Sequence, residues 1–316
     1  DILLMIKKLT ENNIEVVGVE LGSELSNRSY FTKGYTINEY VIAANNCSDK
    51  IKGKYPNIKT AVVVAPLGKR EGHRHNIWNE RLAKLNFYDA IIIHSYAKVT
   101  KGEDRYGQMI SEENEGKNKR EAFDIYKDRA IDYLVNEYPK EVKIYESIFH
   151  KPIWVTEWNL QMSKNTGNTL LQSLFVAHYL LELISNPDLS AIELTTYHNL
   201  GGRDFSGSIF RNNKEKIEIQ STYYPMVMIG KIFESDIDRI ERKKFNDYFI
   251  YTCYDFKGIK KFIFSIDWED SILEFQTSSE FNKHIFDVIK YKSDDLFDKA
   301  NIQGILESDT SRLIVD

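Results

Sequence analysis

Five short runs rich in β-branched residues recur along the first 198 residues: IEVVGV from Ile14, TAVVVAP from Thr60, YDAIIIHSY from Tyr88, PIWVTEWN from Pro152 and AIELTTYH from Ala191. Each is nearly continuous in apolar residues rather than alternating, the pattern of a strand covered on both faces. Helical sequence separates them. Ile2, Met5, Ile6 and Leu9 form a one-sided apolar stripe, and Thr36-x-x-Glu39 has the form of a capping box opening a helix that Pro56 stops near Tyr55. A weaker helix surrounds Trp78 to Leu85, and helical sequence runs through Tyr138 after a polar loop near Gly102 to Lys117. An apolar helix follows from Thr169, and a last one from Ser221 to Phe233. Strands alternating with helices specify βαβ units and a parallel sheet.

After about Ser235 the pattern changes. DYFIYTCYDF, KKFIFSIDW and SILEFQ are short, aromatic and β-branched, with Lys257-Gly258 at one turn. The expected organisation is a parallel α/β domain over 1–234 and a small antiparallel, β-sandwich-like domain over 235–316. A chain of 316 residues with 42% hydrophobic and 28% charged side chains can bury a core of this size. The net charge of -5, with acidic and basic residues interspersed, gives no nucleic-acid footprint. No apolar run is long enough to span a bilayer, and no signal-peptide pattern opens the chain.

In parallel α/β folds, function gathers at the carboxyl ends of the strands, where the loops converge. Four of the five ends carry chemistry: ELGSE (Glu20 to Glu24), HSY (His94 to Tyr96), TEWN (Thr156 to Asn159) and TYHN (Thr196 to Asn199). Two carboxylates brought to one mouth from different strands suit hydrolysis of a glycosidic bond. That reaction takes a proton donor for the leaving oxygen and a second carboxylate near the anomeric carbon, with no metal or nucleotide cofactor. Tyr96 is positioned to hydrogen-bond Glu157 and keep it ionised. Glu20, inside its strand, is expected to balance charge beneath the mouth.

ELGSE, HSY and TEWN, in that order on successive strand ends, resemble the large clan of retaining glycoside hydrolases with (β/α)8 TIM-barrel folds. The nearest in pattern are α-L-arabinofuranosidases, β-xylosidases and heparanase-like glucuronidases, which share an E-[LI]-G-N-E element and a later H-x-Y. The resemblance covers roughly Val16 to His198 and implies that Glu24 is the acid/base after strand four, Glu157 the nucleophile after strand seven, and Tyr96 the residue that orients it. The glutamates are 133 residues apart (157 − 24). Where the clan has asparagine before the acid/base, this chain has Ser23, a shorter donor for a sugar hydroxyl. Only strands four to eight are then present, and five βα units do not close an eight-stranded barrel. The chain is therefore expected to be the carboxyl-terminal part of a longer enzyme, secreted or periplasmic if that enzyme carries a signal peptide.

The substrate is expected to be an oligo- or polysaccharide, bound by Ser23, His94, Tyr96, Trp158, Tyr197 and His198, with Trp158 and Tyr197 as stacking platforms. Two alternatives stay open: a carbohydrate-binding protein without turnover, and a doubly wound nucleotide-binding protein, for which ELGSEL is a poor phosphate loop. Other motifs read as structural. Cys47 and Cys253 have no metal-ligand spacing, and GHRH (Gly72 to His75) has no nearby third ligand. NLGG (Asn199 to Gly202) reads as a flexible loop beside the cleft, and Trp78 as packing.

Overall fold

The structure, a computed structural model, describes residues 2–27, 36–68, 70–100, 102–103, 109–110, 119–163, 165–202, 207–213, 216–245, 248–268, 284–291 and 306–315. Its centre is a five-stranded parallel sheet in chain order: β1 (Gly18–Leu21), β2 (Lys59–Val63), β3 (Ala90–Ala97), β4 (Ile153–Leu160) and β5 (Ile192–Tyr197). The connections carry α2 (Ile37–Lys54), α3 (Arg74–Ala83), α4 (Lys119–Asp132), α5 (Tyr138–Phe149) and α6 (Leu170–Ser185), with α1 (Ile2–Glu11) before the sheet and α7 (Tyr223–Gly230) after it. This is part of a (β/α)8 barrel, opened along β1 and β5.

Local chemistry fixes the elements. The capping box at α2 is complete: the Thr36 amide donates to Glu39 at 2.7 Å, and the Glu39 amide to Thr36 Oγ1 at 3.3 Å. Tyr40, on the next turn, donates its hydroxyl proton to the Leu21 carbonyl at 2.9 Å and accepts from the Val63 amide at 2.8 Å, tying together the ends of β1 and β2. Trp78 packs on Tyr40 and caps the Val63 carbonyl at 3.0 Å.

Several boundaries differ from the sequence reading. The first strand starts at Gly18 rather than Ile14, because its pairing partner β2 begins only at Lys59. The helix expected around Trp78 to Leu85 starts at Arg74, where the His73 side chain accepts from the His75 amide. Gly201–Gly202, expected in a flexible loop, pairs with Phe210–Asn213, which in turn pairs with Lys216–Ile219.

The antiparallel part comprises β6 (Ile237–Phe245), β7 (Tyr248–Asp255) and β8 (Lys260–Asp267) in one sheet, with a hairpin of β9 (His284–Tyr291) and β10 (Leu306–Val315). The turn at Lys257-Gly258 is present: Asp255 accepts from the Lys257 and Ile259 amides, and Gly258 has φ +75°. SILEFQ lies outside the described residues. The buried face of β7, with Phe249, Tyr251 and Cys253, packs on α6 around His178.

Candidate active site

Strand β4 sets the geometry. Trp154 lies on the inner face of the sheet, against Gly18 of β1 and within hydrogen-bond reach of Glu193 of β5 at 3.0 Å. Strict alternation would put residues 156 and 158 on that face as well. The ladder slips instead. Ile93 pairs with Val155 but His94 pairs with Glu157, and on the other side Val155 pairs with Thr195 but Trp158 with Tyr197. Both registers place one extra residue in β4, a bulge that reverses its facing beyond Val155. Glu157 thus turns inward beside His94 and Tyr96, and Trp158 turns outward onto Tyr179 of α6, with ring centroids 4.2 Å apart and nearly parallel.

Glu24 reaches the same place from a tight turn after β1, where Gly22 has φ +106° and Glu24 itself φ +48°. His94 Nδ1 lies 3.1 Å from Glu24 Oε1 and 3.5 Å from Glu157 Oε2. One oxygen of each glutamate and this nitrogen all lie within 4.8 Å of one another. Tyr96 donates to Glu157 Oε2 at 2.6 Å. On the other side of the imidazole, Nε2 faces Glu20 Oε1 at 3.8 Å.

The electrostatics follow from this crowding. Burial opposes charge on His94, but the Glu20 and Glu24 carboxyl groups facing its two ring nitrogens, and the nearby Glu157, outweigh it and raise its affinity for a proton above the ordinary histidine value. Burial, with the adjoining Glu157 carboxylate, pushes the Tyr96 phenol far above its usual range, so it stays a donor. The outcome is one imidazole flanked by two carboxyl groups, with a neutral phenol hydrogen-bonded to Glu157.

The other predicted site residues fare differently. Ser23 is exposed on the turn beside Glu24. His198 lies against Tyr96, ring edge to face at 5.9 Å. Trp158 is 1% exposed and leaves no face for a sugar, so the platform expectation is corrected: its ring belongs to the core. Tyr197 is also not a platform. Its hydroxyl donates to the Gly207 carbonyl and accepts from Asn159 at 2.9 Å, and its ring meets Trp158 edge-on. Asn159, not singled out from the sequence, also donates to the His198 carbonyl at 2.6 Å and accepts from Gln172 at 3.0 Å. It pins the loop that carries His198, and its place directly after the TEW of the motif was the available signal.

A parallel βα array whose strand ends bring two glutamates, a histidine and a tyrosine together has the architecture of part of a TIM barrel. No protein-family model matches the sequence, and neither does any curated protein. Solved structures do. AbfB, a family 51 α-L-arabinofuranosidase from Bifidobacterium longum, aligns over 88% of this chain and 59% of its own, at 7% identity and a TM-score of 0.57. The α-L-arabinofuranosidase of Thermotoga maritima in its arabinose complex aligns over 79% of this chain and 45% of its own, at 16% identity and a TM-score of 0.44. A GH128 endo-β-1,3-glucanase from Amycolatopsis mediterranei, in complex with laminarihexaose, covers 61% of this chain and 64% of its own, at 14% identity and a TM-score of 0.38. The chain spans about half the length of the arabinofuranosidases it matches. At these identities the likeness to AbfB establishes the barrel fold.

Proposed function

We propose that the protein hydrolyses glycosidic bonds in an oligo- or polysaccharide, with net retention of configuration. Glu24 protonates the leaving oxygen while Glu157 attacks the anomeric carbon. The resulting glycosyl ester is released by a water that Glu24 deprotonates. The observation that carries this reading is the meeting of Glu24 and Glu157, one oxygen of each within 4.8 Å of the other. That spacing favours direct attack, for which the carboxyls stand about 5–5.5 Å apart, over inversion, which takes roughly 6.5–9.5 Å to admit a water. Tyr96 orients the nucleophile through its hydrogen bond, and His94 sits between the two glutamates. The fold shared with an arabinofuranosidase supports a sugar substrate.

The test is Glu157→Ala in this chain and in any longer protein that contains it. Release of reducing sugar is lost, and azide restores turnover with a product of inverted configuration. Unchanged activity refutes the assignment.

A second reading, glycan binding without turnover, draws on two observations: Ser23 in place of the clan's asparagine, and an open sheet whose β5 leaves Glu193, Thr195 and Thr196 exposed. Calorimetry that detects glycan binding where no reducing sugar is released selects it.

A further inference from the structure

His94 is nine-tenths buried, and its Nδ1 points between two carboxylates, 3.1 Å from Glu24 and 3.5 Å from Glu157. Bonds of about 2.0–2.2 Å from zinc to nitrogen and oxygen place tetrahedral ligand atoms roughly 3.4 Å apart. Two edges of the Glu24–His94–Glu157 triangle already have that length. The third, within 4.8 Å, closes by a small swing of Glu24, whose side chain is 49% exposed on its turn. Behind the ring, His94 Nε2 and Glu20 Oε1 are both buried, and neither has a hydrogen-bond partner among the described residues, although they face each other at 3.8 Å. A metal-bound histidine commonly donates its second N–H to a carboxylate, which fixes the ring and raises its basicity. Glu20 stands where that outer carboxylate belongs.

We propose that Glu24, His94 and Glu157 bind zinc, with Glu20 positioning His94, and that the bound ion inhibits the enzyme by occupying both carboxylates. Hydrolysis by the paired glutamates uses no metal, so the ion acts as a reversible blocker that competes with the sugar. An imidazole nitrogen among the ligands selects zinc over calcium or magnesium, which prefer all-oxygen shells. The inhibitory half of the proposal rests on the hydrolase reading, whereas the binding half does not.

Titration of the full chain with zinc chloride against a chromophoric chelator reads binding without reference to activity. One ion per chain binds at this site. His94→Gln and Glu157→Gln each weaken it at least tenfold, and Glu20→Gln weakens it by about ten- to a hundredfold. The rings of His73 and His75 lie 4.6 Å apart and offer the rival histidine pair, so the double variant His73→Gln/His75→Gln retains zinc. Circular dichroism verifies that each variant is folded. Absence of binding to the wild type, retention by folded His94→Gln, or loss in the His73/His75 variant each overturns the site. If zinc binds but saturating zinc leaves hydrolysis unaffected, the inhibitory half falls. If no glycan is hydrolysed under any condition, the hydrolase reading and the inhibitory half fall together, while the chelator titration still decides the binding site.

Discussion

Tyr96 donates a hydrogen bond of 2.6 Å to Glu157 across two adjacent parallel strands, so the proposed nucleophile is oriented before any substrate arrives. A hydrogen bond to a charged group contributes about 1.5–3 kcal/mol. Tyr96→Phe removes the donor and leaves the ring that packs against His198. The expected outcome is a kcat lower by roughly ten- to a hundredfold, with KM changed far less. Steady-state kinetics on an aryl glycoside that the wild type cleaves measures the split, and an unaltered kcat would show that Glu157 is held by other groups.

Ser23 lies on the turn beside Glu24, where the clan that the sequence motifs resemble has asparagine. The longer amide extends further toward a sugar hydroxyl next to the reacting carbon, and such a contact tightens in the transition state. Ser23→Asn is expected to raise kcat/KM by about three- to tenfold, the worth of one neutral hydrogen bond. The gain disappears on a substrate that lacks that hydroxyl, so comparing the hydroxylated and deoxy glycosides checks the prediction.

Most of the barrel segment was legible because parallel strands announce themselves as unbroken apolar runs. The Thr36/Glu39 capping box and the Pro56 stop were readable for a similar reason, since both are local. The motif order placed Glu24, His94, Tyr96 and Glu157 at one mouth. The facing within β4 was not readable, because a bulge is set by two neighbouring ladders and leaves no mark in hydrophobicity. That is why Trp158 resembles a platform in the sequence yet is a core residue stacked on Tyr179. The aromatic strands after Ser235 were readable as antiparallel, but the hairpin of β9 and β10 was not, since its residues carry no clear alternation.

Gly18 allows Trp154 to cross the inner face of the sheet. A Cβ at this position would lie 2.2 Å from Trp154 Cη2, and the indole is 5% exposed with its N–H committed to Glu193. Neither ring nor strand can yield without cost. Gly18→Ala is expected to destabilise the protein by about 1–3 kcal/mol, the usual range for overpacking. Urea denaturation measures this as a lower midpoint at an unchanged slope. A midpoint equal to the wild type would mean that Trp154 has room to move.

The antiparallel sheet is anchored to the barrel by buried ionisable groups, which gives the protein a specific acid sensitivity. Glu182 of α6 is 1% exposed; it accepts from Tyr251 at 2.7 Å and from Asn186 at 3.0 Å and is paired with Arg242. Burial alone would raise its carboxyl, but the facing His178, together with Arg242 and Tyr251, overcomes this and brings it down to about 2. Its stabilising contribution is present above the ordinary carboxylate range and is lost as the pH falls from about 4.5 through 2. That contribution is on the order of 3 kcal/mol. His178 acts at higher pH. It is wholly buried and accepts from the Trp268 indole N–H at 3.1 Å, and burial holds its proton affinity below the usual histidine value. The unfolded chain therefore binds the proton first, and stability declines as the pH drops below about 6.5. Urea midpoints measured from pH 8 to pH 3 should show both limbs. His178→Gln, whose amide oxygen can still accept from Trp268, flattens the upper limb, and Glu182→Gln flattens the lower one while lowering stability at pH 7. Wild-type and Glu182→Gln curves that run parallel below pH 4.5 would refute the role of this carboxylate as the acid-sensitive link.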